Sequence, residues 1–237
     1  MIPLTAIARW AAFAFSVAVL MTGQAEAEHA ETAWAKASPS VVSVLPTWPG
    51  YDKPGFGAPI GTAPEGSGVA VLEPGLILTA AHVVVKATSV QVRDSKGSIY
   101  DAEILAIDGA ADLALLRTPV PVPPIVLAVD RPSPGVHACI IANAFGLGLS
   151  ITCGVVSAER QSGIGFNPLE DFIQTDAAAN PGSSGGALVN DEGELTGLLS
   201  AIFTKESDAN AGVNFAASAD LLRERLPRLM KRAGLTD

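Results

Sequence analysis

Basic residues and long apolar runs are both scarce in this sequence. Lys and Arg number 15 against 24 Asp and Glu, a formal net charge of −9 at pH 7. An acidic chain lacks the positive surface that binds phosphate backbones, so nucleic acid is excluded as a partner. No internal repeat or low-complexity tract stands out. The sequence indicates no cofactor and no metal ion.

The longest apolar stretch stands close to the N terminus and has the pattern of a secretory signal. Arg9 precedes the apolar residues Trp10–Met21, and Ala25-Glu26-Ala27 is a small-x-small cleavage motif. The apolar stretch is shorter than the ~20 residues that a membrane-spanning helix needs. We therefore expect a signal peptide over 1–27 and a mature chain that starts at Glu28, with an uncleaved anchor as the alternative. This predicts an exported protein, periplasmic or extracellular, with no stable membrane insertion after cleavage.

Short β-branched or apolar runs alternate with turn residues along the rest of the chain, which is typical of an all-β barrel or sandwich. Six runs lie in the first half: Ser40–Leu45, Gly68–Leu72, Leu76–Thr79, Ser89–Arg93, Ile99–Ile107 and Asp112–Arg117. Six follow: Val136–Ile141, Ser150–Ala158, Phe172–Thr175, Ala187–Val189, Leu195–Phe203 and Val213–Ala216. We predict two six-stranded barrels, at about 38–117 and 135–217.

Three further segments frame these barrels. The proline-rich residues 118–134 have the composition of an extended linker. Leucines at helical spacing predict a C-terminal helix over about 219–233, which Pro227 should kink or divide. The Pro- and Gly-rich segment 46–65 is either a functional loop or a structureless one.

The segment Asn180–Leu188 contains a serine held between glycines, in Gly182-Ser183-Ser184-Gly185-Gly186. Glycines let backbone N–H groups converge where an oxyanion would form. Such a cluster indicates a catalytic serine only if the chain also contains a histidine that could act as its base and a carboxylate that could orient the histidine. His82 stands at the end of the apolar run 76–84, and Asp112 opens the run 112–116. Ser183 and Asp108 are the rival hydroxyl and carboxylate.

These motifs together resemble the chymotrypsin-like serine proteases, and among them the HtrA/Deg family. The resemblance is carried by Thr-Ala-Ala-His-Val at 79–83, Asp-Leu-Ala-Leu-Leu at 112–116, Gln-Thr-Asp-Ala-Ala at 174–178 and Gly-Ser-Ser-Gly-Gly at 182–186. It implies two antiparallel chymotrypsin-like barrels and a serine endopeptidase that acts on unfolded or partly unfolded polypeptides. It leaves homo-oligomerisation open. Fifteen residues follow Leu222, too few for the PDZ domain of better-known members, so we expect a protein without one.

The resemblance also assigns roles to individual residues. Ser184 is the expected nucleophile, His82 the general base and Asp112 its orienting carboxylate, while the N–H groups of Gly182 and Ser184 form the oxyanion hole. The substrate pocket is expected at Ala178, Ser200, Ala201 and Ile202. None of these pocket residues is acidic, so a basic substrate side chain would be buried unpaired. We therefore expect small or medium aliphatic residues before the scissile bond.

Two cysteines, Cys139 and Cys153, flank residues 143–149 symmetrically. A hairpin at that place would set them opposite one another, so a disulfide is geometrically possible in an exported protein. A pair of reduced, buried cysteines is the alternative.

Two rival functions are kept. One is a catalytically silent or latent protease-like module that binds peptides, which the loss of a triad residue would favour. The other is an acyl-transfer enzyme acting on a non-peptide ester, but its usual Gly-x-Ser-x-Gly turn in a βα fold does not suit twelve short strands.

Overall fold

Twelve strands form two closed barrels in the part of the chain that the structure describes, which is residues 28–49, 65–204 and 210–236 of a computed structural model. All twelve strand pairings are antiparallel. The predicted fold class, two six-stranded chymotrypsin-like barrels with a C-terminal helix, is confirmed.

The first barrel has the strand order β1-β2-β3-β6-β5-β4 and the second β10-β11-β12-β9-β8-β7. The first comprises β1 Val41–Thr47, β2 Gly66–Ala70, β3 Leu76–Ala80, β4 Ser89–Arg93, β5 Ile99–Asp108 and β6 Leu113–Arg117. The second comprises β7 His137–Ala142, β8 Ser150–Gln161, β9 Phe172–Thr175, β10 Ala187–Val189, β11 Leu195–Thr204 and β12 Asn210–Ser218.

Burial along the strands shows which faces meet solvent. In β4, buried Val90 and Val92 alternate with the exposed Ser89 and Gln91, because one face packs on the barrel interior. In β2 and β3 every residue is buried. These two strands lie between the interior of their own barrel and the neighbouring barrel. The chain therefore places two completely buried strands next to the region where the barrels meet.

One hydrophobic cluster joins the two barrels. It contains side chains of the first barrel such as Leu78 and Leu115, of the second such as Ile141 and Leu198, and of the C-terminal helix such as Leu222. Each barrel also has its own smaller cluster. Since burial of apolar area is the main stabilising term in folding, this shared cluster holds the barrels in one relative arrangement.

Residues 28–37 form a helix, α1, for which the sequence analysis made no prediction. Ala33 and Ala37 of this helix are completely buried in the shared cluster. Gly193, at the β10–β11 turn, lets the helix approach closely, because a Cβ there would lie 2.7 Å from Lys36 Cβ. Small residues on both sides thus dock α1 onto the second barrel.

The C-terminal helix α3 spans Ala219–Arg232 and is not divided at Pro227, which lies inside it. Ser218 caps its start, where its hydroxyl accepts a hydrogen bond from Leu221 N–H. Arg225 of α3 reaches Asp108 at the end of β5, with Nη2 and Oδ2 2.5 Å apart and both side chains buried. The helix is therefore anchored to the first barrel although it follows the second.

The connection over residues 118–134 packs onto the barrels. Val120, Val122 and Ile125 are buried, and Ile125 N–H donates to the Ala70 carbonyl of β2. A single parallel bridge pairs Leu127 with Leu195 of β11. The predicted linker is extended, and its apolar side chains tie it to both barrels.

Two predicted segments, the signal peptide at 1–27 and most of the 46–65 loop, lie outside the described residues. Where helices are described, none combines the length and apolar character required to span a bilayer.

Candidate active site

His82 lies at the edge of the first barrel, where β3 ends and the short helix α2 Ala81–Val84 begins. Its Nδ1 is 2.8 Å from Asp112 Oδ2, and its backbone N–H donates to Asp112 Oδ1 at 2.9 Å. Since a carboxylate only accepts, Nδ1 carries the proton and Nε2 is left as the basic nitrogen. The side chain is 49% exposed, so this nitrogen has access to a substrate.

Asp112 adopts a left-handed backbone conformation, with φ of 55°, immediately before β6. This turn brings its side chain back onto α2, and its carbonyl also accepts a hydrogen bond from Ala81 N–H. Asp112 Oδ2 accepts a further hydrogen bond, 2.8 Å long, from Ser200 Oγ of β11. The carboxylate is thus held by donors from both barrels, and the side chain of Asp112 is 11% exposed.

Ser184 lies in the loop that leads into β10, and this loop packs against the first barrel. The Ser184 carbonyl accepts a 2.8 Å hydrogen bond from Ser67 N–H at the start of β2. Gly185 follows with φ of +81°, and a Cβ there would lie 2.1 Å from the Ser67 carbonyl oxygen. No other residue type fits this position without moving the backbone. Glycine therefore brings Ser184 to the junction of the barrels.

The backbone around Ser184 leaves two N–H groups without a partner in the described part of the chain. Ser183 N–H donates to Asn180 O, and Gly186 N–H donates to Ser183 O. Gly182 N–H and Ser184 N–H have no acceptor among the residues that the structure describes. Two unengaged donors on either side of one residue are what an oxyanion hole requires.

Ser67 supports the same loop and was missed in the sequence. Its hydroxyl donates to the Gly182 carbonyl at 2.8 Å and accepts from Asn143 N–H at 2.8 Å. Asn143 Nδ2 in turn donates to Glu65 Oε2, which is paired with Arg93 at 2.6 Å. This chain of contacts connects β4, β2, the end of β7 and the loop of residues 180–186, here called the oxyanion loop, over sequence separations that no local motif reveals.

A hydrogen bond between Ser184 Oγ and His82 Nε2 is absent, although both residues belong to the described chain. The serine and the imidazole nevertheless belong to neighbouring segments, because Gly66 lies between the Val83 side chain and the Ser184 carbonyl. In the absence of substrate, contacts between nucleophile and base are often long and shorten only in the reacting complex.

The predicted pocket residues come from two segments, Ala178 after β9 and the other three in β11. Ala178 is exposed, and its carbonyl accepts a 2.6 Å hydrogen bond from Thr152 Oγ1. Ser200 contacts Asp112 and thereby joins the triad region. Ala201 and Ile202 belong to β11, with side chains that lie outside the description.

The rival residues have other partners. Asp108 is paired with Arg225 and is buried. Ser183 is 2% exposed, and its hydroxyl accepts a hydrogen bond from Asn180 N–H within the loop. Neither is in contact with His82 in the described structure.

Cys139 of β7 and Cys153 of β8 are directly paired across the two strands, and their sulfurs are bonded. The bridge closes the hairpin whose turn contains Asn143 and Phe145. Phe145 has φ of 57°, and its N–H donates to the Pro181 carbonyl at 2.6 Å. The bridged hairpin therefore contacts the oxyanion loop from the second barrel.

Two closed barrels that meet at a histidine, an aspartate and a serine define the chymotrypsin-like class of serine proteases. A family model described as "Trypsin-like peptidase domain" matches residues 66–198. The chain belongs to that family.

Its relatives are of HtrA/Deg type, which confirms the resemblance seen in the sequence. It is 38% identical over 170 residues to the periplasmic serine endoprotease DegP of Escherichia coli K12, a match over 70% of this chain and 36% of DegP. It is 40% identical over 168 residues to serine protease HTRA1 of Xenopus laevis, over 68% of this chain and 35% of that protein.

Among solved structures, the HtrA-type protease AlgW with a tripeptide matches with a TM-score of 0.76 and 33% identity, over 85% of this chain and 63% of that chain. The serine endoprotease from Yersinia pestis matches with a TM-score of 0.69. The chain thus spans about a third of the length of these curated relatives.

Proposed function

We propose that this protein is an exported serine endopeptidase that cleaves unfolded or partly unfolded polypeptides through an acyl-enzyme. The observation that carries the proposal is the His82–Asp112 pair, 2.8 Å apart, together with Ser184, whose own N–H and that of Gly182 have no described acceptor. Base, orienting carboxylate, nucleophile and oxyanion donors are the four parts that acyl transfer by serine needs.

In the proposed acylation step, Ser184 Oγ forms a bond to the carbonyl carbon of the scissile peptide, and its proton passes to His82 Nε2. The carbonyl oxygen becomes an oxyanion that the N–H groups of Gly182 and Ser184 stabilise, each by roughly 3 kcal/mol. The imidazolium then gives its proton to the leaving nitrogen as the carbon–nitrogen bond breaks. Water repeats the sequence to release the acyl group and regenerate the serine.

Asp112 supports this chemistry by holding His82 at two points, the ring and the backbone N–H. The negative carboxylate stabilises the imidazolium that forms in the transition state and keeps Nε2 directed outward. Ser200 prevents the carboxylate from turning away, because it donates to the same oxygen as the ring.

Polypeptide substrates are supported by the relatives, which are named as serine endoproteases, and by the neighbouring AlgW structures, which are titled with a tripeptide or a decapeptide. Export is supported by the periplasmic relatives and by the signal pattern at the N terminus. Homo-oligomerisation, which the HtrA/Deg resemblance leaves open, remains part of the proposal. The pocket at Ala178, Ser200, Ala201 and Ile202 favours small or medium aliphatic side chains before the cleaved bond.

A latent or silent peptide-binding module is the second candidate. The missing hydrogen bond between Ser184 Oγ and His82 favours it, since a serine without its base is a weak nucleophile. In this alternative the two N–H donors bind a peptide carbonyl without any bond being formed or broken.

Labelling with a fluorophosphonate distinguishes the two candidates, because the reagent reacts only with an activated serine. We expect the label on Ser184 by mass spectrometry, together with cleavage of casein. Ser184→Ala and His82→Ala should abolish both, and their effects should not add. Ser162→Ala, an exposed serine, is the matched control that keeps both activities. Absence of labelling in folded protein would support the binding module, and labelling without casein cleavage would contradict endopeptidase activity.

A further inference from the structure

Two histidines and an aspartate converge on the second barrel, away from the triad motifs. His29 lies in the first turn of α1, His137 begins β7, and Asp191 lies in the β10–β11 turn. His29 Nδ1 is 2.7 Å from Asp191 Oδ2, and His137 Nδ1 is 2.6 Å from Asp191 Oδ1. The chain has only three histidines, and two of them meet here across 108 residues of sequence (137 − 29).

The three donor groups lie close enough together for one metal ion to bind between them. One donor atom from each of the three side chains lies within 4.8 Å of the others. The imidazole rings are edge-on, with planes at 84° and centroids 6.2 Å apart, so both rings direct a nitrogen to the same carboxylate. Zinc bonds of about 2.0–2.2 Å in tetrahedral geometry set donor atoms roughly 3.4 Å apart, so the carboxylate and the two rings must move apart slightly to admit the ion.

The local charge also favours a cation. Glu28 and Glu192 are the chain neighbours of His29 and Asp191 and add two further carboxylates around the cluster. The three negative charges of Asp191, Glu28 and Glu192 attract a divalent ion.

We propose that His29, His137 and Asp191 form a binding site for a divalent transition-metal ion of the zinc type, which ties α1 to the second barrel. Imidazole nitrogens together with one carboxylate are a ligand set that Zn²⁺, Ni²⁺ and Cu²⁺ accept, whereas Mg²⁺ and Ca²⁺ prefer oxygen alone. His29 is 49% exposed, so water can complete the coordination from the open side. The site is independent of the proposed peptidase activity.

The site could not be predicted from the sequence. Its three ligands are each separated by more than fifty residues, and they lack the short, regular spacing by which metal-binding motifs are recognised. The fold brings them together in two steps. The closed second barrel sets the start of β7 beside the β10–β11 turn, since β7 and β10 are paired. The docking of α1 on Gly193 then adds His29.

Isothermal titration of tag-free protein with ZnCl₂ tests the proposal, with the N terminus determined beforehand. We expect one Zn²⁺ per chain, unaffected by excess Mg²⁺, and at least about tenfold weaker binding in His137→Gln and Asp191→Asn. His82→Gln, the third histidine, is the matched control and should bind zinc as the wild type does. Glu192→Gln tests whether charge alone explains binding and should change the affinity less than about threefold.

Thermal unfolding gives a second readout that remains useful if a variant is less stable. Zinc should raise the unfolding temperature of the wild type and of His82→Gln, because a ligand bound only to the folded state stabilises it. It should leave that of Asp191→Asn unchanged. No binding, binding lost in His82→Gln, or equal binding in the wild type and in Asp191→Asn would each overturn the proposal.

Discussion

The hydroxyl of Ser200 donates a 2.8 Å hydrogen bond to the carboxylate of Asp112, although the two residues belong to different barrels. The oxygen that accepts it, Oδ2, is also the one that faces the His82 ring. The orientation of the base therefore depends on the second barrel as well as the first.

Ser200→Ala should lower kcat about tenfold and leave KM nearly unchanged. The substitution removes a donor that holds the carboxylate, and the imidazolium it stabilises exists only in the transition state. Steady-state kinetics on an aliphatic peptide substrate measure both constants, with Ser162→Ala as the control. A rise in KM with constant kcat would show that Ser200 acts only as part of the substrate pocket and does not position the carboxylate of Asp112.

Ser67→Ala should reduce kcat and the rate of fluorophosphonate labelling by about ten- to a hundredfold. It leaves the buried Asn143 N–H without its acceptor and the Gly182 carbonyl without its donor, so the oxyanion loop loses its support. Both rates should be measured well below the unfolding temperature, because we also expect a stability loss of about 1–3 kcal/mol. Wild-type labelling kinetics would show that Ser67 has no positioning role.

The sequence predicted those features that depend on neighbouring residues, and it did not predict those that depend on contacts between distant parts of the chain. The strand patterns were reliable, since alternation in β4 and continuous apolar residues in β3 follow directly from the faces that each strand buries. Helix α1 was missed. Its core-facing residues include Ala30, Ala33 and Ala37, and alanines do not give the pattern of large apolar residues from which a buried helix face is predicted. Ser67 and Asn143 could not be found, since their contacts arise only when the barrels dock, over 76 residues of sequence.

Thiol titration of denatured, unreduced protein from an exporting host should find no free thiol, because Cys139 and Cys153 are bonded to each other. The bridge between Cys139 and Cys153 spans 14 residues, for which the chain-entropy model gives roughly 3 kcal/mol of stabilisation. Replacing both cysteines with alanine should lower the free energy of unfolding by up to that amount in urea titrations. Two thiols per chain would show that the residues are reduced apolar positions of β7 and β8.

Arg225→Met should destabilise the protein by about 3–5 kcal/mol, because it leaves the carboxylate of Asp108 buried and unpaired. Urea unfolding measures the change. Arg228→Met is the matched control on the same helix, since its exposed pair with Glu224 should contribute less than about 1 kcal/mol. The double variant Arg225→Met, Asp108→Asn should recover part of the loss, and a loss equal to that of the control would refute the buried pair.

Glu170→Gln should remove part of the acid sensitivity of the fold. Burial alone would raise the pKa of Glu170, but N–H groups of residues 164–167 hold the pKa below the ordinary value of 4.5. The carboxylate is therefore stabilising above pH 4.5, and this contribution is lost as the pH falls through the lower folded-state pKa. Unfolding temperatures between pH 7 and pH 3 should converge for wild type and variant at the acid end. A constant difference would contradict the assignment.

Under the proposed function, the division of the triad between two barrels has a consequence for the chain before it folds. His82 and Asp112 come from the first half of the sequence and Ser184 from the second, and the loop that presents Ser184 rests on Ser67 of the first. A chain in which the halves have not yet docked has no assembled nucleophile. Such a chain would be unable to cleave other proteins in the compartment that synthesises it, and it would become active only where it completes its folding.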